Sequence, residues 1–334
     1  MIAPADMATC RAMIRTGSLS FHAASKLLPA RVRDPALALY AFCRVADDEV
    51  DEGHDKDAAV LRLSDRLDLI YQGRPRDHAS DRAFAAVVQD FDLPRALPEA
   101  LLEGLAWDAL GRRYQTLSGV LDYSARVASS VGAMMCVLMR VREADALARA
   151  CDLGLAMQLT NIARDVGEDA RAGRLFLPLD WLEEAGISPE AFMADPRPSE
   201  ALSRVVARLL AVAETHYIRA AAGVARLPLD CRAGIFAAGR IYGAIGHEVA
   251  RAGHDSITRR ARTSGRRKLA LLALAGAEAA LSPILPISAR LHARPAPEVA
   301  FLVEAAAKPL RRASRSEALI RVLSQLEQQD RNTA

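Results

Sequence analysis

A chain of 334 residues, 51% of them hydrophobic, has enough apolar side chain to bury a large core, and its length admits one big domain or two ordinary ones. A net charge of +3, from 44 basic and 41 acidic residues, is too balanced to mark a nucleic-acid binder by charge alone. The five cysteines, Cys10, Cys43, Cys136, Cys151 and Cys231, are scattered and form no C-x-x-C pair, which argues against a disulfide frame or a cysteine zinc site and fits reduced thiols in a cytosolic protein.

The N-terminal run MIAPADMATCRAMIRTG carries Asp6, Arg11 and Arg15 where a secretory signal needs an unbroken apolar stretch, so no export is expected. From there apolar residues recur at three and four, without runs of alternating β-branched residues, and the chain reads as all helix. The spacing predicts helices over about 5–15, 20–28, 35–52, 57–72, 80–91, 98–114, 120–140, 143–171, 199–226, 229–252, 266–281 and 298–328, the last either continuous or broken at Pro309. Asp34 followed by Pro35 reads as the start of the third, and DRAFAAVV, SEALSRVVARLL and SEALIRVL each open on Asp or Ser.

RPRDHAS and ADPRPSE are loop-sized, so one large helical domain over 5–285 is expected, followed by a Pro-rich segment and helical tail, 286–334, peripheral to it. LALLALAGAEAALSPILP, at 269–286, is the most apolar stretch, but Glu278, Pro283 and Pro286 interrupt it; it reads as a buried or surface-lying helix rather than a membrane span of ~20 residues. The protein is therefore expected to be soluble or peripheral. TRRARTSGRRK, Thr258 to Lys268, concentrates six basic residues. It lacks the aromatic residues that stack nucleobases, and reads as a solvated or anionic-lipid-facing loop, with no nucleic-acid partner.

His247 and His254 are seven apart, so no H-E-x-x-H zinc pair exists, and neither G-x-G-x-x-G nor G-x-x-x-x-G-K-[ST] occurs. The chemistry-bearing residues lie elsewhere. LYAFCRVADDEVDE, at 39–52, begins apolar and ends crowded with carboxylates. On a helical wheel with Tyr40 at zero, Asp47 falls at about −20°, Asp51 at about +20° and Arg44 at about +40°, a single stripe. Alone, such a D-x-x-x-D reads as a solvated helix end. QLTNIARDVGEDARAGRLFLP, at 158–178, repeats the pattern: with Gln158 at zero, Asp165 lies at about −20°, Asp169 at about +20°, Asn161 at about −60° and Arg164 at about −120°. Two separate helices thus each offer in-phase oxygen ligands and an arginine. Mg²⁺ takes such hard oxygen donors together with substrate phosphates, and arginine adds bidentate contacts to the same anion.

Those two stretches resemble the aspartate-rich signatures of the squalene and phytoene synthase family, the head-to-head isoprenoid synthases, and most of all those of the bacterial phytoene synthases. GSLSFHAASKLLP, LLEGLAWDALGRRYQTLSGVLDYSARVASSVG and GRIYGAIGHEV occur in family order, and the likeness runs from about residue 5 to 270. The resemblance implies an all-α isoprenoid synthase fold, a helical bundle around a central cavity. It implies that Asp47, Asp51, Asn161 and Asp165, with Asp169 completing the second row, coordinate Mg²⁺, or Mn²⁺ in its place. Ser18, Ser20, Tyr40, Arg44, Gln158, Arg164 and Tyr242 would contact diphosphate or shape its pocket. From their positions alone, Ser18 and Ser20 could equally be helix caps and Tyr242 a core tyrosine.

The activity the resemblance implies is condensation of two geranylgeranyl diphosphates, through prephytoene diphosphate, to 15-cis-phytoene, without NAD(P)H, in the cytoplasm or at the inner membrane surface. Squalene or dehydrosqualene synthesis from farnesyl diphosphate is the alternative within catalysis. A non-catalytic assembly factor is the alternative outside it, disfavoured by the intact aspartates and arginines. One departure stands out. Where the family commonly reads Y-C-Y-x-V-A-G, this chain has YSARVAS, so Ala125 replaces the second tyrosine; Tyr123, projecting about 200° away, cannot take its place.

Overall fold

The computed structural model describes residues 2–52 and 56–308, and among them there is no strand. The first helices are α1 (Pro4–Gly17), α2 (Leu19–Ser25) and α3 (Ala30–Glu52), then α4 (Lys56–Tyr71), α5 (Ala79–Phe91) and α6 (Ala96–Ala109). Next come α7 (Leu117–Ser124), a π-turn (Ala125–Ser129), α8 (Ser130–Leu138) and α9 (Ala144–Arg171). Two short helices, α10 (Leu179–Glu184) and α11 (Pro189–Ala194), lead to α12 (Glu200–Gly223), α13 (Leu229–Arg251) and α14 (Gly265–Leu281), and α15 (Ala300–Ala306) follows two 3₁₀ turns.

Capping explains many of the starts. The hydroxyls of Ser18, Thr116, Ser188, Ser199 and Ser264 accept from the backbone N–H three residues on, satisfying a donor that the first turn leaves unpaired. The third helix begins five residues earlier than the Asp34–Pro35 signal indicates. Val32 and Arg33 N–H already donate to the Pro29 carbonyl, so the helix is nucleated before Pro35, which sits inside it. Asp34 is engaged elsewhere, accepting from Arg11 Nη2 at 3.0 Å and Arg33 Nε at 3.1 Å.

The expected helix over 120–140 is one path with a π-turn in its middle. Neighbouring glycines make room for this widening. A Cβ on Gly154 of α9 would lie 2.5 Å from Ser129 Cα, and one on Gly104 of α6 would lie 2.6 Å from Val127 Cγ1. Helices α10 and α11 were not legible, because six residues are too few to display a period.

Helix α9 runs through the middle, packed by α8, α12, α13 and α15. Its 28 residues make it about 42 Å long. Buried ion clusters lock the frame, since a buried charge is tolerated only when paired. Arg66 of α4 joins Asp81 of α5 and Glu49 of α3. At the opposite end Asp152 of α9 meets Arg149 Nε at 2.8 Å, His216 Nδ1 at 2.7 Å and Arg219 Nε at 2.9 Å. Arg149 also donates to the carbonyls of Arg290, Leu291 and Ala293, holding the chain after α14 against the bundle. Beyond it, Val299, Leu302, Val303 and Ala306 are buried in the core. The expected last helix is present as α15, which ends at Ala306 with Ala307 extended, and 309–334 lie outside the described residues.

Candidate active site

A cavity of about 340 Å³ opens between α3 and α9, walled almost wholly by apolar side chains from α2, α3, α8, α9, α12 and α13 and from the π-turn. On α3 its lining includes Ala36, Leu37, Leu39, Tyr40 and Cys43; on α9 it includes Ala146, Arg149, Ala150, Leu153, Gly154 and Met157. Residues three or four apart share a helix face. Asp47 lies one turn beyond Cys43, and Asn161 and Asp165 lie one and two turns beyond Met157. Both acid rows therefore continue the cavity-lining face of their helices at the same, C-terminal, end.

Tyr242 of α13 ties the two rows together. Burial pushes its hydroxyl up to about 12; Arg164 and a hydrogen bond with Ser18 oppose that rise, and Tyr40 and Asp165 add to it. Ser18 also caps α2, with Phe21 N–H donating to its Oγ at 3.3 Å. Tyr242 packs at 5.1 Å on the Phe21 ring, and the Tyr40 hydroxyl lies where a Cβ on Gly17 would stand, 2.1 Å away. Ser18, Tyr40, Arg164, Asp165 and Tyr242 are thus neighbours. The capping reading of Ser18 is realised, and its side chain also hydrogen-bonds with Tyr242.

The first row is half-exposed. Arg44 pairs along its own helix, with Asp48 at 2.5 Å and Asp47 at 3.6 Å. Burial raises the Tyr40 hydroxyl above its ordinary range, against the opposing pull of Arg44. The side chains of Ser20 and Asp51 lie outside the described residues.

The second row is more enclosed. Asp165 accepts from Arg164 Nε at 2.7 Å. It also accepts from Arg260 at 2.8 Å (Nε to Oδ1) and 3.1 Å (Nη2 to Oδ2), and Arg260 Nη1 reaches Glu168 at 3.2 Å. Burial pushes the Asp169 carboxyl up to about 7; Arg174 works against this, and the charges of Asp165, Asp108 and Glu168 reinforce it. Asn161 Nδ2 donates to Gln158 Oε1 at 3.4 Å, while Asn161 Oδ1 is buried with no hydrogen-bond partner among the described residues.

The donor chemistry suits a divalent cation. Among the described residues no three His, Cys, Asp or Glu side chains gather into a ready-made cage. Mg²⁺ rarely uses one; it is usually held by one or two carboxylates with waters and substrate phosphates. The orphaned Asn161 oxygen and the Asp169 carboxyl, raised by burial and crowded by Asp165, Asp108 and Glu168, are groups that a cation would satisfy.

Four residues of this mouth, Arg260, Arg174, Asp108 and Tyr123, were given no site role by sequence. Arg260 belongs to the basic run expected to face solvent or lipid, as does Arg267, which instead pairs with Glu248 at 2.6 Å. Arg174 follows the left-handed Gly173 (φ 78°), where the chain turns back so that Arg174 N–H donates to the Asp169 carbonyl at 2.8 Å; a glycine shortly before an arginine at a helix end was the available signal. Asp108 and Tyr123 join from α6 and α7, with Tyr123 Oη donating to Asp108 Oδ2 at 2.8 Å. Ala125 is fully buried in the π-turn.

An all-helical bundle with a greasy cavity opening between two carboxylate rows is the frame of an isoprenoid synthase. A sequence model of squalene/phytoene synthases matches residues 14–267, and the chain belongs to that family. It is 66% identical to a phytoene synthase of Rhodobacter capsulatus over 337 positions, covering 100% of this chain and 99% of that one. A phytoene synthase of Cereibacter sphaeroides is 64% identical over 341 positions, covering 99% of this chain and 96% of the other. Among solved structures, a ligand-bound dehydrosqualene synthase superposes with a TM-score of 0.76 at 30% identity, over 82% of this chain and 96% of that chain.

Proposed function

We infer that the protein condenses two molecules of geranylgeranyl diphosphate head to head, through prephytoene diphosphate, to phytoene, releasing diphosphate at each of two ionisations. The observation that carries the reading is the continuity of the cavity-lining faces of α3 and α9 into the two acid rows. Prenyl chains would lie against the apolar wall and the diphosphates at the mouth. Relatives of full-length similarity named phytoene synthase support the choice of product.

Asp47, Asp51, Asn161, Asp165 and Asp169 would hold Mg²⁺, which when bound supplies positive charge to the departing diphosphate. Arg44, Arg164 and Arg260 would contact the same anion through charge-assisted hydrogen bonds, favouring the charge that develops as the C–O bond breaks. Ser18, Ser20, Tyr40, Gln158 and Tyr242 would fix its orientation. The apolar walls exclude water, which would otherwise quench the allylic and cyclopropylcarbinyl cations. With alanine at 125, no hydroxyl stands there to take the proton, and released diphosphate would serve as the base. No described helix is long and apolar enough to cross a membrane, and we place the enzyme in the cytoplasm, at the inner membrane surface, where its C20 substrate partitions.

The test is to incubate purified protein with Mg²⁺ and either the C20 or the C15 diphosphate, without NADPH, and identify the hydrocarbon. Phytoene from the C20 substrate is expected. A C30 product alone would overturn the assignment while leaving the fold class intact.

A further inference from the structure

Six of the large hydrophobic side chains that are most exposed lie on one stretch: Leu269, Leu274 and Leu281 of α14, and Ile284, Leu285 and Ile287 just after it. On α14 the three leucines, with the alanines between them, occupy an outward arc of about 140° that contains no acid. The opposite face is spent on packing, with Leu272 and Ala275 set against Phe236 and Ala237 of α13. A contiguous exposed apolar strip of this kind is unusual on a soluble surface.

Its charge surroundings say what would cover it. Between Arg259 and Pro297 the only acidic residue is Glu278, and it is paired with Arg240. Arg266 sits on the same arc as the leucines at the start of the helix, with exposed Arg262 just before it and Arg290 beyond the other end. An apolar arc flanked by cations is the pattern of a helix lying in the interface of an anionic bilayer.

A second cavity, of about 270 Å³, lies between α12, α13 and α14, with Arg267 and Leu271 of α14 at its edge, next to the outward arc. It shares the wall residues Leu153, Ala220, Val224 and Ile235 with the main cavity. The two spaces therefore adjoin across these four apolar side chains. Gly239 and Gly243 line the second cavity; a Cβ on either meets nothing closer than 3.5 Å and 3.8 Å respectively.

We propose that α14 and the segment through Ile287 dock on an anionic lipid bilayer, and that the second cavity is the side passage through which hydrocarbon moves between that bilayer and the main cavity. Phytoene is too apolar to leave through a mouth lined with carboxylates and arginines, so an outlet beside the docked helix delivers it into lipid. Only the identity of the cargo rests on the phytoene reading; the docking face and the passage do not.

Flotation of the full chain with phosphatidylcholine vesicles, with and without phosphatidylglycerol, tests the docking in the absence of substrate. Binding to the anionic vesicles alone is expected, and the triple variant Leu269→Gln, Leu274→Gln, Ile284→Gln should partition at least about tenfold more weakly. It should still convert C20 diphosphate in detergent micelles at the parent rate, showing that it folds. Flotation of the triple variant like the parent, or equal binding to neutral vesicles, would overturn the docking. So would a dimer in sedimentation that the triple variant abolishes without any vesicle binding, since a second copy would then be the occupant.

Gly243→Leu, and separately Gly239→Leu, fill the passage. Multiple-turnover rate on vesicles should drop several-fold, with single-turnover conversion unchanged. Unaltered multiple turnover in both variants, or single-turnover loss of equal size, would refute the passage. Failure of the parent to make any C40 hydrocarbon would instead sink the function reading, whatever the flotation result.

Discussion

Arg260, from the loop after α13, grips Asp165 of α9 through paired contacts at 2.8 and 3.1 Å. The arginine so occupies the oxygens that the second acid row would offer to a metal. It also brings a cation to the place where diphosphate would sit. If metal and diphosphate bind here together as proposed, Arg260 would transfer its donors from the carboxylate to the phosphate oxygens, because the guanidinium suits both anions.

Arg260→Gln separates these two roles. Loss of a charge-assisted contact to substrate should raise the KM for prenyl diphosphate about tenfold, or about 1.4 kcal/mol, at saturating Mg²⁺. Removal of the competing cation should at the same time lower the Mg²⁺ concentration needed for half-maximal activity. Steady-state kinetics over a grid of both concentrations checks the pair; a rise in both values would contradict the exchange.

What holds Arg260 in place is Gly167. Its N–H donates to the Ser256 carbonyl at 2.9 Å, and Ser256 Oγ donates to the Ala163 carbonyl at 2.6 Å, so the loop after α13 is seated directly on α9. A Cβ at 167 would lie 2.8 Å from both Ser256 O and Ile257 Cα, which are backbone atoms that cannot swing aside. Gly167→Ala should therefore displace the loop, reproduce the KM rise of Arg260→Gln and add a loss of stability of about 1–3 kcal/mol. Thermal unfolding alongside kinetics decides this; stability loss with an unchanged KM would mean that the seat does not position Arg260.

The helices, the acid rows and their shared arginines could be read from sequence because each depends on a local period of 3.6 residues. Tyr242 could be named through family order. Arg260 could not. Its cationic run looks identical whether it faces water or turns inward, and the inward turn is decided by Gly167 and Ser256, nearly 90 residues apart in the chain. The contact between Asp108 and Tyr123 was invisible for the same reason: a carboxylate and a tyrosine on different helices meet only after the bundle closes. The start of α3 was misplaced because a proline preceded by aspartate signals a helix start, while Pro29 had already supplied the carbonyl that nucleates one.

Asp169 gives the site a pH dependence of unusual sign. With its carboxyl raised to about 7 from an ordinary value near 3.8, it holds its proton in the folded protein, but not in the unfolded one, across the window between them. The folded state then binds more protons than the unfolded state, so stability declines as pH climbs from about 4 through 7. In chelator, the melting temperature of the parent should fall across this window relative to Asp169→Asn, which cannot titrate. Mg²⁺ with inorganic diphosphate should cancel the difference and, at pH 6, release protons on binding, since the ligand form is the carboxylate. A melting difference between parent and variant that stays flat from pH 5 to 8 would show that Asp169 is ionised throughout.

Ala125 sits fully buried at the start of the π-turn, where the chain path is wider than an α-helix, and Gly104 and Gly154 press on the neighbouring residues of that turn. Tyrosine in its place adds a ring and a hydroxyl to a closed space. Ala125→Tyr should cost about 1–3 kcal/mol in unfolding free energy by overpacking. If released diphosphate removes the proton, the added hydroxyl gains nothing. The rate of prephytoene diphosphate formation in rapid-quench experiments should then stay at or below that of the parent. A faster first step in Ala125→Tyr would show that the site lacks a base which tyrosine restores.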